Sequence, residues 1–507
     1  MRSVVLCIAM LSALFVVPEA AQAGGFEVPA AGARSLGRGG AWAARADDPM
    51  ALLYNPANLT ELSGVQLHVS AHMLLFDGCI TRDGMEEVCA DGPPGGVPEI
   101  ALSWGVNDRL GFGIGLVAPA AVGWSSYGDP ETGRQGSNPA PTRYSLIDQT
   151  NLIAYLAAGV GYRFHERFRA GFHVGAGVGM FDFLAALRPT PGGDSVPDEL
   201  DIRTHLQATD WFIPRATLSL HAVPHDNLDI MVGFTWIDDV GATGTLDLRS
   251  AYYGDEFVGA RTDDCPAGLS ADQMERCLPI LDDVSLEAAM PWQVSFGIRY
   301  ADRLVPRANS TSEVEARTGR TEDPMTTERW DIELDVVYEM NSRLDYFRIG
   351  VPGDNSVVVE NFAPPFPIPA ETWIPHLWKD QWSFRLGGDY NIMPGLASIR
   401  AGVSFETRGM NEDYPVIDFW PMQRFGGHVG LTLRAGKLDV HLAYAFIFQE
   451  TLTVSGGQLR QPVANCPTCA DPEDAEMRTQ DGGEIISDGT YESSFHHLAL
   501  GVNYRFN

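Results

Sequence analysis

From Trp292 the chain alternates: Trp292, Val294, Phe296, Ile298 and Tyr300 are large and apolar, while Gln293, Ser295, Gly297 and Arg299 between them are small or polar. Residues two apart lie on one face of a strand, so this spacing predicts a strand with one greasy face and one that is not. The same parity runs through Leu110, Phe112, Ile114 and Leu116 against Gly111, Gly113 and Gly115, and through Leu228, Ile230, Val232, Phe234 and Trp236 against Asp229, Gly233 and Thr235. It returns over 330–338, 382–390, 438–448 and 498–506. Strands of soluble sandwiches usually span only about 5 to 6 residues. These runs of about 9 to 13 are long enough to cross a bilayer at a tilt.

The template places strands near 64–76, 97–106, 110–118, 149–163, 168–184, 208–222, 228–238, 291–301, 328–340, 380–392, 396–407, 425–434, 438–450 and 493–507, which is fourteen. Connections at 107–109, 165–167, 224–227 and 435–437 are tight, whereas 119–148, 239–290, 341–379 and 451–492 are long. Short periplasmic turns and long outer loops are the asymmetry of an outer-membrane barrel. The polar stretch 302–327 departs from it and reads as a flexible extension. Trp292, Trp330, Trp382, Tyr162 and Tyr444 near strand ends suit aromatic girdles at headgroup level.

The N-terminus agrees. Arg2, an apolar stretch from Val4 to Val17, and Ala21-Gln22-Ala23 before Gly24 make residues 1–23 a secretory signal peptide. No later stretch is apolar for roughly 18 residues, so the membrane is not crossed by helices. A net charge of −31 argues against a nucleic-acid partner, which needs basic surface. The acid gathers in Asp263-Asp264 and in 471–476, read as solvated loops, with surface capture of divalent cations as the lesser alternative. Beyond Cys7 in the signal, six cysteines fall as local pairs: Cys79 with Cys89, Cys265 with Cys277, and Cys466 with Cys469, all on the long-loop side. Export favours disulfides, and closeness along the chain favours these pairings.

Residues 24–63 lack period-two patterning, and fourteen strands enclose a lumen that leaks unless filled, so this segment is expected to plug it. It carries Gly25-Phe26, Ser35-Leu36-Gly37-Arg38-Gly39-Gly40-Ala41, Ala46-Asp47-Asp48 and Asn55-Pro56-Ala57. These motifs resemble the N-terminal hatch of the FadL-type outer-membrane transporters of long-chain fatty acids and hydrocarbons. Met290-Pro291-Trp292, 330–334 and Gln423-Arg424-Phe425 are similar to the family's C-terminal half. The resemblance implies an all-β fold, a fourteen-stranded antiparallel transmembrane barrel over 64–507 with a hatch over 24–63. It implies capture by outer loops, a shift of the hatch and sideways exit into outer-membrane lipid. It also implies assembly by the barrel-assembly machinery and no cofactor or metal; a monomer is expected.

Within that frame Gly37, Arg38, Asp47, Asp48, Asn55, Pro56 and Ala57 are hatch residues. The two aspartates and Asn55-Pro56 are read as turn-forming. Lumen-facing glycines at 111, 113, 115, 175, 177 and 179 are expected to make room for the plug. The stretch 119–127, with Trp124 and Tyr127, and Arg134 beyond it, is a candidate ligand groove. A carboxylate needs a cation, and Arg163, Arg215, Arg299, Arg385, Arg400 and Arg434 have lumen parity; Arg215, Arg385 and Arg424 are carried as ligand candidates. A neutral hydrocarbon needs none. The same face carries Asp182, Asp229, Asp331, Glu333, Asp335, Glu339 and Asp389, and most of these charges are expected to pair with one another or with the hatch. An enzyme is not expected, since His441, His496 and His497 have no placed nucleophile. A porin-like channel or a surface structural protein are the alternatives.

Overall fold

The computed structural model describes residues 30–82, 84–92, 95–128, 140–188, 201–250, 280–305, 323–351, 358–359, 366–367, 371–461 and 483–506. Fourteen antiparallel strands form a closed wall. They are β1 (Gly64–Arg82), β2 (Gly95–Asn107), β3 (Leu110–Ser126), β4 (Asp148–His165), β5 (Phe168–Leu187), β6 (Ile202–His225) and β7 (Leu228–Ile237). The second half supplies β8 (Gln293–Arg303), β9 (Glu328–Glu339), β10 (Gln381–Met393), β11 (Ala397–Glu406), β12 (Arg424–Ala435), β13 (Leu438–Gln449) and β14 (Gly489–Arg505). Each strand pairs with its neighbour in sequence, and β14 closes on β1 from Gln66 opposite Arg505 to Arg82 opposite Gly489.

The alternation sorts inside from outside. On β13, Leu442, Tyr444, Phe446 and Phe448 point outward and are exposed, while Asp439, His441 and Gln449 point inward and are buried. Outward aromatics touch in a chain at the loop end, from Trp382 through Phe384, Phe405 and Phe425 to Phe448. Tyr300 with Trp330 and Tyr504 with Phe506 mark the opposite rim. This is the outer-membrane arrangement of two aromatic girdles around an apolar band.

Two long connections are more than loops. Residues 239–290 contain Val240–Ser250 and Ile280–Ala288, and 341–379 contain Tyr346–Gly350 and Glu371–Pro375, all strands that pair in series outward from the upper part of β6. They continue β7 to β10 after breaks at 238–239, 289–292, 340–345 and 376–380. Pro214 and Pro291 lack an N–H; Pro214 stands next to a register shift in the β5–β6 ladder and Pro291 in the break before β8. Irregular spacing hid these strands from a period-two reading. Of the stretch 302–327, residues 306–322 lie outside the described residues; Pro324–Thr327 is a single helical turn capped by the Asp323 side chain, which also pairs with Arg434.

The hatch fills the lumen with two short helices, α1 (Ala33–Leu36) and α2 (Ala51–Tyr54), and a 3₁₀ turn at Pro56–Thr60. Its backbone lies so close to the wall that a Cβ on Gly387 would come 2.0 Å from the Arg38 carbonyl, and one on Gly171 2.0 Å from the Ala57 nitrogen. Gly111 and Gly113 face Leu59 in the same way, as expected; Gly175 and Gly177 instead clear space for the Tyr155 ring, and Gly179 for Ile213 and Phe181. Gly387→Val is therefore expected to leave the wall folded and expel the hatch, read as trypsin cleavage at Arg38 or Arg45 where the parent protein resists. Resistance equal to the parent's would show that the close approach is dispensable.

Cys79 and Cys89 form a disulfide between the outer end of β1 and the short strand Val88–Cys89. Cys265, Cys277, Cys466 and Cys469 lie outside the described residues.

Candidate functional site

The hatch body is bound to the wall by buried charge. Arg38, wholly buried, reaches Asp331 and Glu333 on β9 at 2.9 Å and Asp389 on β10 at 2.8 Å. Arg45 adds Asp331 at 2.8 Å. Asp335 accepts from the backbone N–H of Trp42 and Ala43, and Glu333 from those of Ala44 and Arg45. Such arrays hold only when every partner is supplied, because an unpaired buried charge is costly. Asp47 pairs with Arg34 and Arg45; burial opposes its ionisation, but these arginines outweigh it and hold its pKa at about 2. Asp48 does cap a turn, accepting from Met50 N–H. Asn55 bonds the Ala43 carbonyl, Pro56 opens the 3₁₀ turn, Ala57 N–H donates to Ser219, and Gly37 lies against Arg400.

Below the hatch body lies a polar cavity of about 130 Å³. Arg299 bridges Asp229, Glu328 and Asp331 there, and Arg169 and Arg163 share Glu61. Lumenal charges thus pair with one another and with the hatch, as the parity suggested.

Above the hatch one side of the lining is apolar, while Arg385, Arg424 and Glu406 make a charged group on another. A cavity of about 210 Å³ opens among the outer segments, walled by Leu206, Leu246, Leu248, Leu286, Phe347 and Ile417 among others, with Arg460 at its edge. The same apolar cluster descends through Phe181, Ile213, Ile237 and Tyr155 to Leu53, Met50 and Ala31 of the hatch. An apolar column therefore joins the outer cavity to the plug and ends on an ionic floor.

Beside the foot of that column the wall has a gap. The β2–β3 ladder stops at Ile100 opposite Leu116. Above it, β2 pairs with β1, and β3 pairs with β4 through register shifts at 117–120 and 120–123; among the described residues the next β2-side contact is the bridge of Asp91 to Ser126. Pro98 and Pro119 stand on either side, each without an N–H to offer. Two prolines inside otherwise regular strands are the sequence signal for this window, and period counting passes over them. Ala30 of the hatch shares an apolar cluster with Val97 and Ala118 at its edges.

The expected ligand residues are not brought together. The stretch 119–127 mostly belongs to β3 rather than to a loop, because bulges carry the strand to Ser126. Trp124 is half-buried against Gly92, Tyr127 packs in a cluster with Trp420 and Met422, and neither lines the outer cavity. Arg134 lies outside the described residues. Arg385 and Arg424 converge on Glu406. Arg215 lies over the Tyr155 ring, 5.7 Å from its centroid, at the foot of the column. His173, on the neighbouring strand, is buried with neither ring nitrogen hydrogen-bonded among the described residues.

Residues 14–187 match the family described as outer membrane protein transport protein (OMPP1/FadL/TodX). Over that stretch the chain is similar to the FadL family. No curated protein sequence is significantly similar to it. Among solved structures it resembles a Pseudomonas aeruginosa FadL homologue at 16% identity, covering 96% of this chain and 100% of that one with a TM-score of 0.69. It also resembles the P. putida toluene transporter TodX (14%, 94% and 98%, 0.60) and the Ralstonia pickettii toluene transporter TbuX (13%, 94% and 99%, 0.57). At these identities the structural likeness is one of fold. FadL-type barrel and outer-membrane location go together here.

Proposed function

We propose that this protein carries hydrophobic small molecules, long-chain fatty acids or hydrocarbons, across the outer membrane. The observation that carries the reading is the change of lining along one side of the lumen: an apolar column from the outer cavity to the hatch, an ionic floor below it, with the wall window beside the change. Apolar surface leaves water with a gain of about 25 cal/mol per Å². A solute of this kind is held by the outer cavity and column, and has nothing to gain from the charged floor. The route of least cost is capture among the outer segments, passage down the column as the hatch shifts, and exit through the window into outer-membrane lipid.

A carboxylate-bearing ligand would meet Arg215, with Tyr155 and His173 around it; a neutral hydrocarbon would use the column alone. The route runs within a single chain, which favours a monomer as the working unit, and the barrel-assembly machinery is its expected route into the membrane. The test is uptake of labelled palmitate and labelled toluene at limiting concentration by cells that lack their own transporter. Expression of the chain is expected to raise accumulation of at least one severalfold. No rise for either, with the protein present at the surface, would count decisively against transport.

A further inference from the structure

The hatch is held in two unlike ways. From Arg38 to Arg45 it is fixed by a buried array of arginines and carboxylates. The leading segment Ala30–Gly32, which sits at the window, has no ion pair among the described residues. Its polar anchors are three side chains, Tyr54 of the hatch and Glu99 and His72 of the wall, with His72 Nε2 3.2 Å from the Gly32 nitrogen. Tyr54 accepts from Ala31 N–H at 2.7 Å and donates to the Ala31 carbonyl at 3.0 Å. Glu99 accepts from Gly32 N–H at 2.7 Å.

Tyr54 belongs to the hatch body, on α2, and stays with it. Glu99 belongs to the wall, and it is the first residue of β2 above the last β2–β3 pair, Ile100 with Leu116. The carboxylate is itself buried and held: Ser70 donates to it at 2.8 Å, and His72 Nε2 lies 3.0 Å away. His72 in turn meets His497 at 2.8 Å across the seam that closes the barrel. Gly32 takes a φ of 81°, a left-handed turn that aims its N–H at this carboxylate, and a Cβ there would crowd Met50.

We propose that Glu99 is the positioning residue that seats the leading hatch segment against the wall window, so that this segment is released while the ion-paired hatch body stays in place. Release gives up the Gly32 N–H contacts to Glu99 and His72 and the two Tyr54–Ala31 bonds, all without an ion pair, whereas moving the body breaks many charged contacts. The inference rests on the transport reading for its purpose, but its test does not depend on transport.

Ala30→Cys serves as a reporter in the purified full-length protein, with alkylation by N-ethylmaleimide followed against the protein without the reporter. Glu99→Ala in that background is expected to speed alkylation of the reporter by about tenfold, the worth of a charge-assisted hydrogen bond. Glu99→Gln keeps an acceptor oxygen in place and is expected to restore most of the protection. Ser70→Ala is the milder variant should Glu99→Ala not fold, as judged by heat-dependent gel mobility, and is expected to raise the rate to a lesser degree. Trypsin resistance at Arg38 and Arg45 stays as in the parent if only the leading segment moves. Alkylation of both Glu99→Ala and Ser70→Ala at the parent rate, or loss of the trypsin resistance along with protection, would overturn the proposal. Absence of uptake by the parent protein would instead overturn the transport reading and leave the alkylation result standing.

Discussion

Replacing Arg38 by alanine is expected to turn a plugged barrel into a conducting one. The guanidinium joins the hatch to Asp331, Glu333 and Asp389 with no exposure to solvent. Its removal leaves three buried carboxylates short of a partner, and breaking a buried pair of this kind costs about 3–5 kcal/mol. The wall keeps its own hydrogen bonds and remains folded, so the cost is relieved by letting the hatch go and water in. In planar bilayers the parent protein is expected to give few openings and Arg38→Ala large, steady steps. Arg38→Lys keeps the charge but not the forked geometry, and falls between. Conductance of Arg38→Ala equal to the parent's, with native gel mobility, would mean that the remaining contacts hold the hatch unaided.

The second large effect concerns capture. Leu246 lines the outer cavity, on the segment Val240–Ser250 beyond the membrane wall, where a change of polarity leaves the barrel ladder untouched. Leu246→Glu places a carboxylate where an apolar ligand must strip its water. A desolvation cost of about 2 kcal/mol corresponds to roughly a 30-fold loss of affinity. The half-saturation concentration for uptake is expected to rise by about that factor, with surface level and bilayer conductance unchanged. Uptake that keeps the parent's concentration dependence would move the capture site away from this cavity.

The two variants separate the parts of the protein by how they were legible. The wall was open to reading because its signal is local: at 438–448 every second residue is apolar, and a strand in lipid can satisfy this in only one orientation. The hatch was open to reading as a patternless segment that a wide lumen requires, and its motifs carried the family. The outer segments at 240–250, 280–288, 346–350 and 371–375 were missed because they are short or interrupted and gain their pairing from each other. The ligand candidates fared as residue type alone allows. Arg385 and Arg424 have lumen position, but so has Glu406, and only the fold shows that the three meet.

By itself the sequence determined the strand number, which face of each strand meets lipid, the plug and the compartment, all of which follow from the period of the apolar residues and from the first 23. The tertiary structure decided what the hatch is fixed to and where the wall is open. Arg38 and Asp331 stand 293 residues apart, and no local pattern pairs them. The window is a set of hydrogen bonds that two strands do not make, and Glu99 acquires its role by being the first residue beyond the last bond that they do.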